Sequence, residues 1–305
     1  MLLTTIACIV VTNTFCQTND NPVKRKLKIT DASIFAGMNF QSVNYGTMLD
    51  FQKMASQSLL LNQNMQGYSI PNVGGVSGPF NRNFGYSGNS SLSASIGINF
   101  ADKEKTKYKS NPKLRIGIVY FSQTSLSNSL YKADRKRYDT LTSVSTGQTV
   151  FYDSVTHHHY HMNYNSDQIR IDASLIFRTK PEARWSMYGG IGIEFGTSIR
   201  SYTDVTYVEF TTIESTDNNN NNGIVSITSN DHTYKSEQFT NKSNFGCAAY
   251  LPMGVDFRMG KKGEFFKRLH LFYELKPFIN TTTIPELRTV ATVGIMSGLG
   301  LRVSF

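Results

Sequence analysis

Residues 289–305 read Thr-Val-Ala-Thr-Val-Gly-Ile-Met-Ser-Gly-Leu-Gly-Leu-Arg-Val-Ser-Phe, and their pattern decides the fold. In steps of two, the odd positions include Ala291, Val293, Ile295, Leu299, Leu301, Val303 and Phe305, seven apolar residues of nine. The even positions are small or polar apart from Val290 and Met296. A period of two is a strand with one apolar face. Ordinary globular strands run to about five or six residues. A tilted membrane-spanning strand needs about nine to eleven in the apolar layer, and this segment supplies them.

Seven earlier segments alternate in the same way. Their apolar sets begin Ala32, Ile34, Ala36, Met38, Phe40, then Leu92, Ala94, Ile96, Ile98, Phe100, then Leu114, Ile116, Ile118, Tyr120. The fourth and fifth are Ile169, Ile171, Ala173, Leu175, Phe177 and Trp185, Met187, Gly189, Ile191, Ile193, Phe195. The last two are Phe245, Cys247, Ala249, Leu251, Met253, Val255, Phe257 and Leu269, Leu271, Tyr273, Leu275, Ile279. Eight strands is an even count, as bacterial single-chain barrels require. The links alternate too. Those after strands one, three and five are long, while 102–112, 179–183 and 260–267 are short and charged, and the last outer link, 284–287, is also short. Short turns face the periplasm and long loops face outside, which puts both termini on the periplasmic side. The expected fold is an eight-stranded antiparallel transmembrane β-barrel over 28–305, with long extracellular loops.

Composition agrees. Hydrophobic residues make up 39%, and no run after residue 16 is long enough for a membrane helix. The 16 Tyr and 20 Phe suit aromatic girdles at the two interfaces. A net charge of +9 would suggest nucleic acid in a cytosolic protein. In a barrel it places basic turns and loops beside anionic lipid headgroups, so no nucleic-acid partner is expected. Residues 1–16 are uncharged and resemble a secretory signal peptide, with Thr14 and Cys16 at the −3 and −1 positions before Gln17. Residues 17–27 then form a periplasmic N-terminal segment. Cleavage there removes Cys8 and Cys16 and leaves Cys247 as the single thiol, a small lipid-facing residue.

An aromatic residue closing an alternating strand resembles the assembly signal of bacterial outer-membrane barrels, here Gly300, Leu301, Val303 and Phe305. On that resemblance the chain is similar to the small barrel proteins of the Bacteroidetes outer membrane, the PorT-like group. The resemblance implies an outer-membrane location, with outer-membrane lipid, lipopolysaccharide and the barrel-assembly machinery as partners.

With the apolar positions outward, alternation sends Arg115, Arg170, Asp172, Arg178, Glu194, Asp256, Arg258, Glu274, Lys276 and Arg302 into the lumen. Lone buried charges are costly, whereas paired ones are tolerated. Glu194 and Glu274 are therefore expected to be bridged by arginines or Lys276 from other strands, and Asp172 and Asp256 to be similarly paired. Eight strands enclose only enough room for side chains, so the expectation is a filled lumen and a non-porin.

The stretches 138–164 and 203–240 read as β-hairpins, turning near Thr146-Gly147 and at the asparagine-rich 217–223. In the first loop Leu49, Phe51, Met54, Leu59 and Leu60 suit a short helix before the Gly-rich 74–88, lying over or inside the mouth or else mobile. His157, His159 and His161 share one face of an extended strand, with His158 opposite. Imidazole suits zinc, copper or nickel, but no Cys or carboxylate sits at ligand spacing, so no metal is expected and these three are the only candidates. Lys132, Arg135, Lys136 and Arg137 suit either a grip on lipopolysaccharide phosphates or a solvated charge run. A lipid-modifying enzyme would need His, Ser and an acid in fixed geometry, and no spacing fixes one. Neither catalytic residues nor a cofactor are expected. There remain a surface protein whose loops meet an unknown protein or glycan partner, and an accessory barrel subunit of an envelope secretion or assembly complex.

Overall fold

All eight alternating segments are strands in the computed structural model, which describes residues 28–63, 66–69, 85–99, 112–142, 144–145, 147, 149–179, 183–217, 227–260 and 263–305. The expected leader, the 17–27 segment, most of the Gly-rich stretch, the turn after the second strand and most of the asparagine tract lie outside those residues. The strands are β1 (Lys28–Tyr45), β2 (Gly85–Asn99), β3 (Lys113–Thr142), β4 (Thr149–Arg178), β5 (Trp185–Asp217), β6 (Ile227–Thr240), β7 (Phe245–Tyr250), β8 (Met253–Arg258), β9 (Leu269–Thr283) and β10 (Thr289–Ser304). Two short helices accompany them, α1 (Met48–Met54) and α2 (Glu264–Arg268).

The ring closes on β10, which pairs antiparallel with β9 on one side and β1 on the other, Ile34 standing opposite Leu301. β7 and β8 are halves of one strand. Their register against β9 runs unbroken from Tyr250↔Phe278 to Met253↔Leu275, and the interruption falls at Pro252, which has no N–H to give the ladder. β6 pairs only with the outer part of β5 and stays out of the ring. The wall therefore has eight strands, as the alternation predicts.

The wall is apolar outside and polar inside. Ile34, Ile96, Ile118, Ile171, Ile193, Leu251, Ile279 and Leu299 are exposed around its outside, as is Cys247. Arg170, Glu194, Glu274, Asn280 and Gln123 are buried within. That inversion of a water-soluble core is what a bilayer-spanning barrel presents. Among the described residues no helix is long and apolar enough to cross a membrane. The small even residues of β10 face inward, where rings cross a narrow space. A Cβ at Gly300 would fall 2.2 Å from the Phe272 ring and 2.5 Å from the Ile34 carbonyl oxygen.

Both expected hairpins are present as paired strands, and three of their four arms are wall strands carried on, β6 being the fourth. β3 and β4 each run 30 residues and β5 runs 33. Ser125 on β3 and Ile199 on β5 are single extra residues opposite β4. Each such bulge swaps which parity faces inward. Beyond them β3, β4, β5 and β6 form a four-stranded antiparallel blade reaching roughly 55 Å further along the strands at about 3.3 Å per residue. Between β3 and β4, Gly147 stands at φ +66°, a left-handed conformation glycine adopts freely.

The first loop enters the mouth. Thr47 caps α1, accepting from the Asp50 N–H (3.2 Å) while the Asp50 carboxylate accepts from the Thr47 N–H (2.9 Å). That fixes Phe51 and Met54 downward, with Leu60 and Leu61, against Leu126, Tyr160, Met162, Tyr164, Val205 and Ile284. The helix is shorter than expected: Leu59 and Leu60 fall beyond its end, and Leu49 and Leu59 are exposed.

Candidate functional site

Three connected clusters fill the lumen. In the first, Glu274 of β9 is fully buried; the Arg115 guanidinium donates to both its oxygens (2.7 and 3.2 Å), the Tyr188 hydroxyl donates at 2.7 Å, and Lys276 lies at 3.3 Å. In the second, Asp256 of β8 accepts from Arg178 (3.0 Å) and Arg302 (3.0 and 3.1 Å), with the His270 ring nitrogen at 2.6 Å. Arg302 also reaches Asp31 at 3.4 Å, and Asp31 is paired with Lys113. In the third, Arg170 lies 3.6 Å from Glu194, donates to Gln168 (2.7 Å) and Asn280 (2.9 Å), and stacks 4.0 Å over the Phe121 ring. Arg258 stands half-buried at the short-turn end, opposite His270.

Two details differ from the sequence expectation. Asp172 takes the Tyr250 hydroxyl as its hydrogen-bond partner rather than a base. The lysine beside Glu274 comes from the same strand, two residues on, and its ammonium sits between the Phe35 and Tyr250 rings at 4.8 and 5.2 Å. Aromatic faces attract cations, so inward Phe and Tyr share the work of holding buried charge. With Ile176, Phe272, Phe278 and Met296 they pack the gaps between the ion pairs.

Above the rim, His157, His159 and His161 do share one face of β4, but their rings stack instead of converging. His159 lies 5.6 Å from Phe210, within 5° of parallel, and 6.3 Å from His161. The two nitrogens of His157 sit 2.8 Å from the Tyr131 and Thr212 hydroxyls. Burial first, then the neighbouring imidazoles, lower the pKa of His159, which favours the neutral stacked form. Among the described residues no three His, Cys, Asp or Glu groups gather as a metal site. Ser129 lies 2.8 Å from His161 on the exposed face, with no carboxylate on that ring among the described contacts. On the opposite face His158 stands between Asp134 (3.2 Å) and Glu209 (3.3 Å). The basic cluster lies well up the blade, and most of it is spoken for. Lys132 pairs with Asp134, Arg135 with Asp153 and Glu214, and Arg137 with Asp153, while Lys136 is exposed.

No protein-family model matches the chain, and no curated protein matches it. Among solved structures, Ail, the attachment invasion locus protein of Yersinia pestis in complex with the heparin analogue sucrose octasulfate, aligns at 10% identity and a TM-score of 0.22. The alignment covers 90% of this chain and 99% of that one. A FadL homologue of Pseudomonas aeruginosa aligns at 8% identity and a TM-score of 0.19, over 91% and 90%. Scores this low carry no function across. The architecture stands on strand pairing and wall chemistry alone.

The titratable residues of these clusters that the sequence reading did not name are Asp31, Lys113, His270, Tyr188 and Tyr250. His270, Tyr188 and Tyr250 sit between outward neighbours, so parity alone would have placed them inside. Asp31 and Lys113 stand just outside the first apolar residue of their strands, Ala32 and Leu114, where no alternation brackets them.

Proposed function

We propose that this protein is an outer-membrane β-barrel that conducts nothing and displays a stiff sheet for surface binding. The carrying observation is a closed lumen beneath a long blade: paired charges fill the barrel, the α1 loop fills its mouth, and three wall strands continue far beyond the rim. A channel has no use for such a stopper, and a purely structural barrel has no use for such a blade. The short turns and both termini face the periplasm, the blade faces outside, and its partner is a protein or glycan. The likeness of Gly300, Leu301, Val303 and Phe305 to the barrel assembly signal supports membership of the PorT-like group, with the assembly machinery and lipopolysaccharide as further partners.

Purified protein in planar bilayers is expected to give no steady conductance. Trypsin added to intact cells is expected to cut the blade at Lys136 or Lys235, both exposed. Reproducible open channels, or cleavage only after lysis, would defeat the reading. Removal of Phe305, whose N–H donates to the Thr30 carbonyl at 2.8 Å, is expected to lower the amount reaching the outer membrane, measured as heat-modifiable protein in membrane fractions. Unchanged levels would remove the assembly role.

One observation favours the accessory-subunit alternative. At the short-turn end α2 leaves Phe265 and Phe266 64% and 53% exposed. Exposed aromatic pairs suit either the headgroup zone or a protein contact. Co-purification from native membranes separates the two functions. A partner lost on trimming residues 133–155 belongs to the blade; one lost on Phe265→Ser with Phe266→Ser belongs to an envelope complex.

A further inference from the structure

We propose that the lumen binds one small monatomic anion, of the size and charge of chloride, at its short-turn end. Lys113, Arg115, Arg178 and Arg302 line a single cavity of 20 Å³ whose wall Asp31 and Tyr188 help complete. These four cations share three carboxylates, Asp31, Asp256 and Glu274. Two of the three also serve other groups: Asp256 meets His270, and Glu274 meets Lys276. Positive charge is therefore in local excess, in a space where uncompensated charge is costly.

Size and access narrow the occupant. One water needs about 10–15 Å³ of such volume, so the cavity takes a single water-sized or halide-sized particle and excludes phosphate or sulfate. Water would fill the space and leave the excess charge where it is. A halide fills it and neutralises it, accepting from the guanidinium and ammonium groups that line it. The side chains of Lys113, Arg115 and Arg178 keep 21%, 12% and 14% exposure. The cavity thus communicates with solvent at the end where β1 begins and β10 ends, and the anion enters from that side without passing the filled mid-lumen.

The test uses the full chain in detergent micelles, melted in sodium chloride, sodium bromide and sodium gluconate at equal ionic strength. Gluconate is too large for the cavity. Chloride and bromide are expected to raise the melting temperature by about 3 °C for each tenfold step above half-saturation, with gluconate flat. Arg178→Gln is expected to flatten the halide response as well. Equal responses to all three salts, or an unchanged halide response in the variant, would overturn the site. Crystals grown in sodium bromide give a decision independent of the variant's folding. An anomalous peak among Lys113, Arg115, Arg178 and Arg302 establishes the anion, and a cavity without one, holding water only, removes it.

Discussion

Replacing Glu274 with Ala is expected to cost the barrel about 3–5 kcal/mol, the range for removing one partner of a buried ion pair. The carboxylate is fully buried and joins three strands, taking Arg115 from β3, Tyr188 from β5 and Lys276 from its own β9. Its loss strands two positive groups and leaves a buried hydroxyl without an acceptor. A control on the blade sets the scale. Glu214 pairs with an Arg135 that is 51% exposed, and water-facing pairs contribute about 0–1 kcal/mol. Trp185 is the chain's only tryptophan and faces the lipid side, so urea unfolding in vesicles, read by its fluorescence, reports both variants. A Glu274→Ala loss no larger than that of Glu214→Ala would show that the lumen is wet enough to screen its charges.

The second large effect is expected at the mouth. Phe51→Ala removes a ring with no exposed surface from the cluster that seats the first loop, and truncating a buried Phe costs about 3–5 kcal/mol. The ring also lies against Gly46, where a Cβ would fall 2.6 Å away, so no larger neighbour is placed to fill the gap. The cost falls on docking of the loop, not on closure of the ring, whose strand pairs remain. Lys53 is exposed on α1, and cleavage there by trypsin on intact cells is expected to rise sharply while the urea midpoint moves less. Conductance should stay absent, because the ion pairs beneath close the lumen independently. An unchanged digestion pattern would mean that the loop is held by its other contacts, such as the Asn241 side-chain amide donating to the Met54 carbonyl (2.9 Å).

The ring was legible in the sequence because one physical rule, lipid outside and polar inside, acts at every position of every crossing strand. The quoted 289–305 stretch shows it plainly. Beyond the rim both faces meet water or the loop, and the rule lapses. Ser125 and Ile199 hide the continuation further: each extra residue flips the parity, so Ile118 and Tyr131, both on the outer side, no longer share it. A strand with a phase slip reads as a strand followed by a loop. In the lumen, counting charges located most of the ionic half of the network, but not the pair Asp31 and Lys113 or His270 beside Asp256. It missed the phenols and rings, because Tyr250 beside Asp172 or Phe121 beneath Arg170 carries no formal charge to attract notice. A short first-loop helix at the mouth was one of the alternatives the sequence left open, but its partners could not be read, since the pocket is assembled from β3, β4 and β5 and from the turn after β9.

The unbroken passage of β3, β4 and β5 from blade to wall also has a mechanical meaning. Backbone hydrogen bonds between antiparallel strands lie across the strand direction. A pull on the tip along the strands, from flow or from a retreating partner, loads many of those bonds together in shear. A blade joined to the barrel by flexible loops would instead pass its load to a few backbone segments at the rim. Here β4 is bonded along nearly its whole length to β3 on one side and β5 on the other, and force applied tens of ångströms above the membrane is spread into the wall embedded in it.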